Sequence, residues 1–78
     1  MTITPGQVVV ARRLLGWTQE GLAVRACLSQ GAVANIEKGR RPLTLRTMAA
    51  IRGALESAGA EFTKAGVALR SQSGILDR

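Results

Sequence analysis

The chain has 78 residues, the size of one small domain, and its hydrophobic share of 46% is enough for a packed core and too high for a wholly disordered chain. Eleven Lys and Arg against five Asp and Glu give a net charge of +6, which favours a polyanionic partner such as nucleic acid. One cysteine and no histidine exclude an intrachain disulfide and a zinc cluster, and they fit a reducing cytoplasm.

The first predicted helix begins at Thr4-Pro5, because threonine is a preferred N-cap and proline is tolerated at the first helical position. Gly16 ends it, as glycine commonly does at helix C-termini. Its apolar residues recur at helical spacing, at Val8, Ala11, Leu14 and Leu15.

Two further short helices follow. Thr18 is the predicted N-cap of the second, whose inner residues are Leu22, Ala23 and Ala26. After a turn at Cys27-Leu28, Ser29 is the predicted N-cap of the third helix, and Gly39 ends it. Val33 and Ile36 are its expected core residues.

A fourth helix is predicted to start after Thr44 and to end at Gly59, with the clearest amphipathic pattern of the chain. Its expected core residues are Leu45, Met48, Ile51 and Leu55.

Residues 60–70 predict a β-hairpin, in which Phe62, Val67 and Leu69 could face the core. A lone hairpin is marginal in water, so it must pack on the helices or pair with a second chain. We therefore expect a mainly α fold: a compact four- to five-helix bundle with a short C-terminal β-hairpin. The expected domain is 1–70, followed by a flexible tail at 71–78.

Residues 18–39 have the form of a helix-turn-helix, two short helices joined by a tight turn. In such a unit the second helix lies in the major groove of DNA and points its N-terminal residues at base edges. Gln30 is the strongest candidate, because glutamine can form two hydrogen bonds to adenine. The candidate base contacts are Gln30, Gly31, Ala34 and Asn35.

A second set of residues is placed to hold the DNA backbone through hydroxyl, amide or cationic groups near helix ends. The candidate phosphate contacts are Thr18, Gln19, Ser29, Lys38, Arg40, Arg41 and Arg46. The alternative is an ordinary solvated basic surface. Because Gly31, Ala32 and Ala34 carry little readout chemistry, part of the specificity is left to DNA shape.

The remaining polar and aromatic residues have structural interpretations. We expect Glu37 to pair with a nearby arginine, Arg12 or Arg13. Apart from that pair, Arg12, Arg13 and Arg25 are interpreted as ordinary surface charges. Trp17 is expected to pack at the helix junction rather than stack on a base. Cys27 is read as a small buried hydrophobic residue in preference to a redox-active thiol.

The run Leu14 to Glu20, then Leu28-Ser29-Gln30 and Asn35 to Arg40, resembles the Cro and lambda-repressor family of regulators over about residues 6–58. The resemblance implies about five short helices, operator binding and commonly a homodimer on a palindromic site. By the same resemblance Gln19 contacts phosphate and Gln30 a base. The chain departs from the family at Cys27, where glycine is frequent, so a positive φ there would carry strain of about 1 kcal/mol.

The sequence thus predicts a DNA-binding transcriptional regulator, a repressor, of the bacterial or phage cytoplasm. It predicts no catalysis, cofactor, metal or membrane association, and a homodimer formed through the 60–70 hairpin. Two alternatives stay open. One is an antitoxin-like module that binds operator DNA and a protein partner, and the other is a helical domain used only for protein interaction.

Overall fold

A computed structural model describes residues 3–70; the tail predicted at 71–78 lies outside the described residues. The helices are α1 (Pro5–Leu14), α2 (Gln19–Ala26), α3 (Gln30–Glu37) and α4 (Leu45–Ser57), and the strands are β1 (Ala60–Thr63) and β2 (Gly66–Leu69). The fold is mainly helical with a C-terminal hairpin, so the predicted class is confirmed, with four helices in the described part of the chain.

Each helix begins at a hydroxyl side chain that the sequence predicts as its N-cap. The Thr4 hydroxyl accepts a hydrogen bond from the Gln7 N–H at 3.1 Å, and the Gln7 side chain accepts one from the Thr4 N–H at 2.8 Å. This reciprocal pair satisfies two backbone donors at the start of α1. At the start of the other three helices, the hydroxyl groups of Thr18, Ser29 and Thr44 likewise accept a hydrogen bond from a backbone N–H three residues later.

The core is aliphatic, as the composition requires. Its buried members are contributed by the segment before α1, by all four helices and by β1: Ile3, Val8, Ala11, Leu22, Ala23, Ala26, Val33, Ile36, Ile51, Leu55 and Ala60. Leu45 was expected there and is instead 83% exposed. It is the first residue of α4, and no described element covers its side chain, whereas Met48 in the same turn packs against the core.

The hairpin is antiparallel, with Phe62 opposite Val67 and Ala60 opposite Leu69 around a turn at Lys64 and Ala65. It packs against α1 and α4. Phe62 and Val67 reach the core cluster as expected. Leu69 was expected to face the core and remains 46% exposed, although it pairs with the buried Ala60. None of the helices within residues 3–70 is both long and apolar enough to cross a membrane.

Candidate nucleic-acid interface

The turn between α2 and α3 sets the angle at which α3 is presented. Cys27 closes α2 in the left-handed conformation, with φ of 59°, and its N–H reaches the Val24 carbonyl at 3.3 Å. The Leu28 N–H bonds to the Ala23 carbonyl at 2.8 Å, and the Leu28 side chain packs against the core. The expectation that Cys27 is buried is wrong: its side chain is exposed, because Leu28 takes the inward position of the turn.

Replacing Cys27 with glycine should raise the free energy of unfolding by about 0.5–1 kcal/mol, since Cys27 has the one positive φ among the described non-glycine residues. Urea unfolding checks this. The matched control is Gly39→Ala, which places a Cβ at φ +77° and should destabilise by a similar amount. A Cys27→Gly variant less stable than the natural chain would contradict the assignment of strain to this turn.

Helix α3 has one buried and one open side. Its inner residues, Ala32, Val33 and Ile36, are buried in the core or against it. Of the candidate base contacts, Gln30, Gly31 and Asn35 are exposed and Ala34 is half-buried. A Cβ added at Gly31 would meet no atom within 4 Å, so the surface around it is open.

A chain of side-chain hydrogen bonds leads from the protein interior to the start of α3. Arg12 donates to Glu37 through Nε at 2.7 Å and Nη2 at 3.1 Å, in a two-point contact. The amide of Gln19 donates to Glu37 at 3.0 Å, and the amide of Gln30 donates to Gln19 at 2.8 Å. The Gln30 side chain is therefore held by a partner that is itself held by a buried ion pair.

The ion pair at the base of this chain is well shielded from water. Side-chain exposure is 10% for Arg12 and 5% for Glu37, and Arg12 also donates to the Trp17 carbonyl at 2.8 Å. Burial by itself would raise the pKa of Glu37, but hydrogen bonds from Arg12 and Gln19 and the charges of Arg12 and Arg13 lower that pKa below its ordinary value. The carboxylate form is thus favoured.

The expectation of a Glu37–arginine pair is confirmed with Arg12, whereas the reading of Arg12 as an ordinary surface charge is wrong. Arg12 is buried because it shares the inner side of α1 with Val8 and Leu15. The sequence spacing already indicates this burial. Arg12 follows Val8 by four residues and precedes Leu15 by three, so all three lie on one face of the helix. Arginine is nevertheless rarely buried without a partner, and the partner of Arg12 lies 25 positions away in sequence.

Trp17 packs against the core cluster as expected, and Arg25 stacks on it with the guanidinium carbon 4.2 Å from the ring centroid. Arg25 also donates to the Gly21 carbonyl at 3.1 Å. This contact covers the outer face of the indole ring with a cation. Trp17 therefore belongs to the junction of α1 and α2 rather than to the open side of α3.

The candidate phosphate contacts gather at the ends of the motif helices. Thr18 and Gln19 open α2, Ser29 opens α3, and Lys38 closes α3. The N–H groups of Arg40 and Arg41 both bond to the Asn35 carbonyl, at 2.9 and 3.3 Å, which folds the basic loop back towards α3. All of these are exposed except the half-buried Gln19, as is Arg46 in the first turn of α4.

Comparison with known proteins agrees with this geometry. Residues 10–62, more than half of the chain, match the family described as Helix-turn-helix. No curated protein matches the chain. The matched range runs from the middle of α1 into β1 and so includes both motif helices and α4. The chain therefore belongs to the helix-turn-helix family of the Cro and lambda-repressor type, a family of DNA-binding regulatory domains.

Proposed function

We propose that the chain is a sequence-specific transcriptional repressor that inserts the N-terminal end of α3 into the major groove of DNA. The observation that carries the proposal is the exposed Gln30 side chain, held from behind by Gln19. A reader of bases needs a polar group that is both exposed and fixed in direction, because a freely rotating side chain loses conformational entropy on binding.

The hydrogen-bond inventory leaves Gln30 the groups that adenine requires. Its Nε2 has two hydrogens, and one of them is used by Gln19. The second can donate to adenine N7 while Oε1 accepts from N6, which is the two-point pairing expected of glutamine. Asn35 is a further candidate for a base edge. Gly31 and Ala34 are small enough to allow close approach, and Ala34 can touch a thymine methyl group.

Gln19 has the complementary role in this proposal. Its amide donates one hydrogen to Glu37 and its oxygen accepts from Gln30, which leaves one N–H for a phosphate oxygen at the start of α2. The other proposed phosphate contacts are Thr18, Ser29, Lys38, Arg40, Arg41 and Arg46. Together with the net charge of +6, they make binding strongly dependent on salt.

A homodimer on a palindromic operator completes the proposal. One domain of this kind reads few bases, and two copies reading half-sites about 34 Å apart multiply the specificity. The hairpin is the proposed contact between the copies. Bound to its operator in this form, the protein represses transcription by occupying the site.

The proposal is tested by selecting bound sequences from a random pool of double-stranded DNA. We expect an enriched site with two inverted half-sites separated by one helical turn. A promoter reporter carrying that site should then be repressed when the protein is expressed. Failure to enrich any sequence at low salt, with correctly folded protein, would overturn the DNA-binding proposal.

Replacing Gly31 with alanine should affect the stability of the protein and its affinity for DNA in opposite directions. The added methyl group meets nothing in the free protein, so we expect stability equal to or up to about 1 kcal/mol above that of the natural chain. If α3 approaches the bases closely, the same methyl group should weaken binding to the selected site about tenfold. The control is Gly53→Ala in α4, also in open space, which should stabilise without changing DNA affinity.

A further inference from the structure

The hairpin has one strand that carries no charged residue and whose last two residues, Ala68 and Leu69, are exposed. Strand β2 consists of Gly66, Val67, Ala68 and Leu69, without a charge or a proline. Natural sheets usually protect such edges with lysine, proline or a covering element, because free N–H and C=O groups invite another strand. In the described residues the sheet has two strands, so β2 has no strand on its second side.

The register shows which backbone groups face that open side. Thr63 and Gly66 flank the two-residue turn, and in such hairpins the flanking residues exchange hydrogen bonds. Hydrogen-bonded pairs then alternate with non-bonded pairs, so Ala68 bonds to Glu61 and Arg70 to Gly59. The Arg70 N–H does donate to the Gly59 carbonyl. The N–H and C=O groups of Val67 and Leu69 therefore point away from β1.

We propose that a second copy of this chain pairs its β2 with this edge, antiparallel and with Ala68 on the twofold axis. This inference deepens the homodimer proposed above by assigning its interface and register. In this register Val67 of each copy lies opposite Leu69 of the other. The outward N–H and C=O groups of these residues then form hydrogen bonds between the two copies. The two hairpins become one four-stranded sheet.

Charge distribution supports a second copy as the occupant. Each copy carries +6, so two copies associate only where like charges do not meet. Pairing about Ala68 places Arg70 opposite Gly66 of the second copy, which has no side chain. Arg70 lies 3.6 Å from Glu61 of its own chain, so part of its charge is already balanced.

Exposed apolar side chains of the hairpin and of α1, the helix against which β2 packs, also fit a dimer. Leu69 shares the inner face of the hairpin with Phe62 and Val67, and β2 packs against α1. On α1, Val10 and Leu14 are 47% and 45% exposed although both are apolar. They lie one turn apart on the same side of the helix, and Arg12 projects about 200° away from each. The proposed interface therefore does not involve the side of α1 on which Arg12 supports Glu37.

The outer edge of β1 is a weaker candidate for pairing with the second copy. Ala60, the first residue of β1, is fully buried, and β1 packs against α4 as well as α1. Ala68 and Leu69, by contrast, are exposed. The second copy is accordingly assigned to β2.

Cross-linking tests the register directly. In a Cys27→Ser background, Ala68→Cys should form an intermolecular disulfide in most of the protein under mild oxidation. The two Ala68 positions form a non-hydrogen-bonded pair with Cα atoms about 4.5 Å apart, which is within disulfide geometry. Ala65→Cys is the control, because the same register separates its two copies by about 20 Å. Equal cross-linking of both variants, or of neither, would overturn the register.

Sedimentation equilibrium without DNA tests the interface. Leu69→Lys places a charge on the shared edge and should weaken dimerisation at least tenfold. Leu45→Lys makes the same chemical change at an exposed leucine of α4 and should leave the dimer intact. A monomeric natural chain, or equal effects of the two variants, would overturn the inference. Neither assay contains DNA, so the two proposals can fail separately. A dimer that enriches no DNA sequence would refute the DNA-binding function but not the interface. A monomer that binds DNA would refute the dimer and its interface but not the DNA-binding function.

Discussion

Glu37→Ala should lower the free energy of unfolding by about 3 kcal/mol, because it leaves the buried Arg12 guanidinium without its carboxylate. A domain of this length has roughly 4–12 kcal/mol in total, so the loss is a large part of its stability. The melting temperature should fall on the order of 15 °C. Urea and thermal unfolding measure both quantities.

The matched control is Glu56→Ala, which removes a carboxylate from an i,i+4 pair with Arg52. Those side chains are 31% and 39% exposed, and such a pair contributes about 0.5 kcal/mol or less. Equal losses in the two variants would contradict the importance assigned to burial. The double replacement Arg12→Met with Glu37→Met should recover part of the stability, since no unpaired charge remains buried.

The lowered pKa of Glu37 also predicts a pH dependence. The unfolded chain holds this proton at a higher pH than the folded chain does, so stability rises with pH across that interval. The contribution is complete above the ordinary carboxyl pKa and is lost as pH falls through the lowered folded value. The urea midpoint of Glu37→Gln should therefore change less over this acidic range than that of the natural chain.

Gln30→Ala should cost about 1–3 kcal/mol of discrimination at one base pair of each half-site, which is roughly a 5- to 150-fold loss of preference. Because Gln30 is exposed, stability should change by no more than about 0.5 kcal/mol. Competition binding with operators varied one base pair at a time gives the preference at each position.

Arg40→Ala is the contrasting variant for the same operators. It should weaken binding to all of them by a similar factor and reduce the salt slope by about 1, as expected of a phosphate contact. If Gln30→Ala instead weakened every operator equally, Gln30 would be a backbone contact and the proposed readout would be wrong. If Arg40→Ala changed the preference at one base pair, the two roles would be reversed.

Local chemistry allowed much of the fold to be predicted. The four N-caps, the glycine ends of α1 and α3 and the C-terminal hairpin each depend on a few neighbouring residues, and all are where the sequence places them. The open side of α3 was predictable for the same reason, because an eight-residue helix with Val33 and Ile36 inward has its other face outward.

Burial and partnership were decided by tertiary structure. Arg12 meets Glu37 across 25 positions of sequence, and Gln30 meets Gln19 across 11. Cys27, Leu45 and Leu69 are exposed although their types suggested otherwise, since exposure depends on which other elements cover a position. Thus the sequence alone determined the helices and which residue opens α3, whereas the support behind Gln30 arose only when α1, α2 and α3 packed together and brought distant polar groups within hydrogen-bond distance.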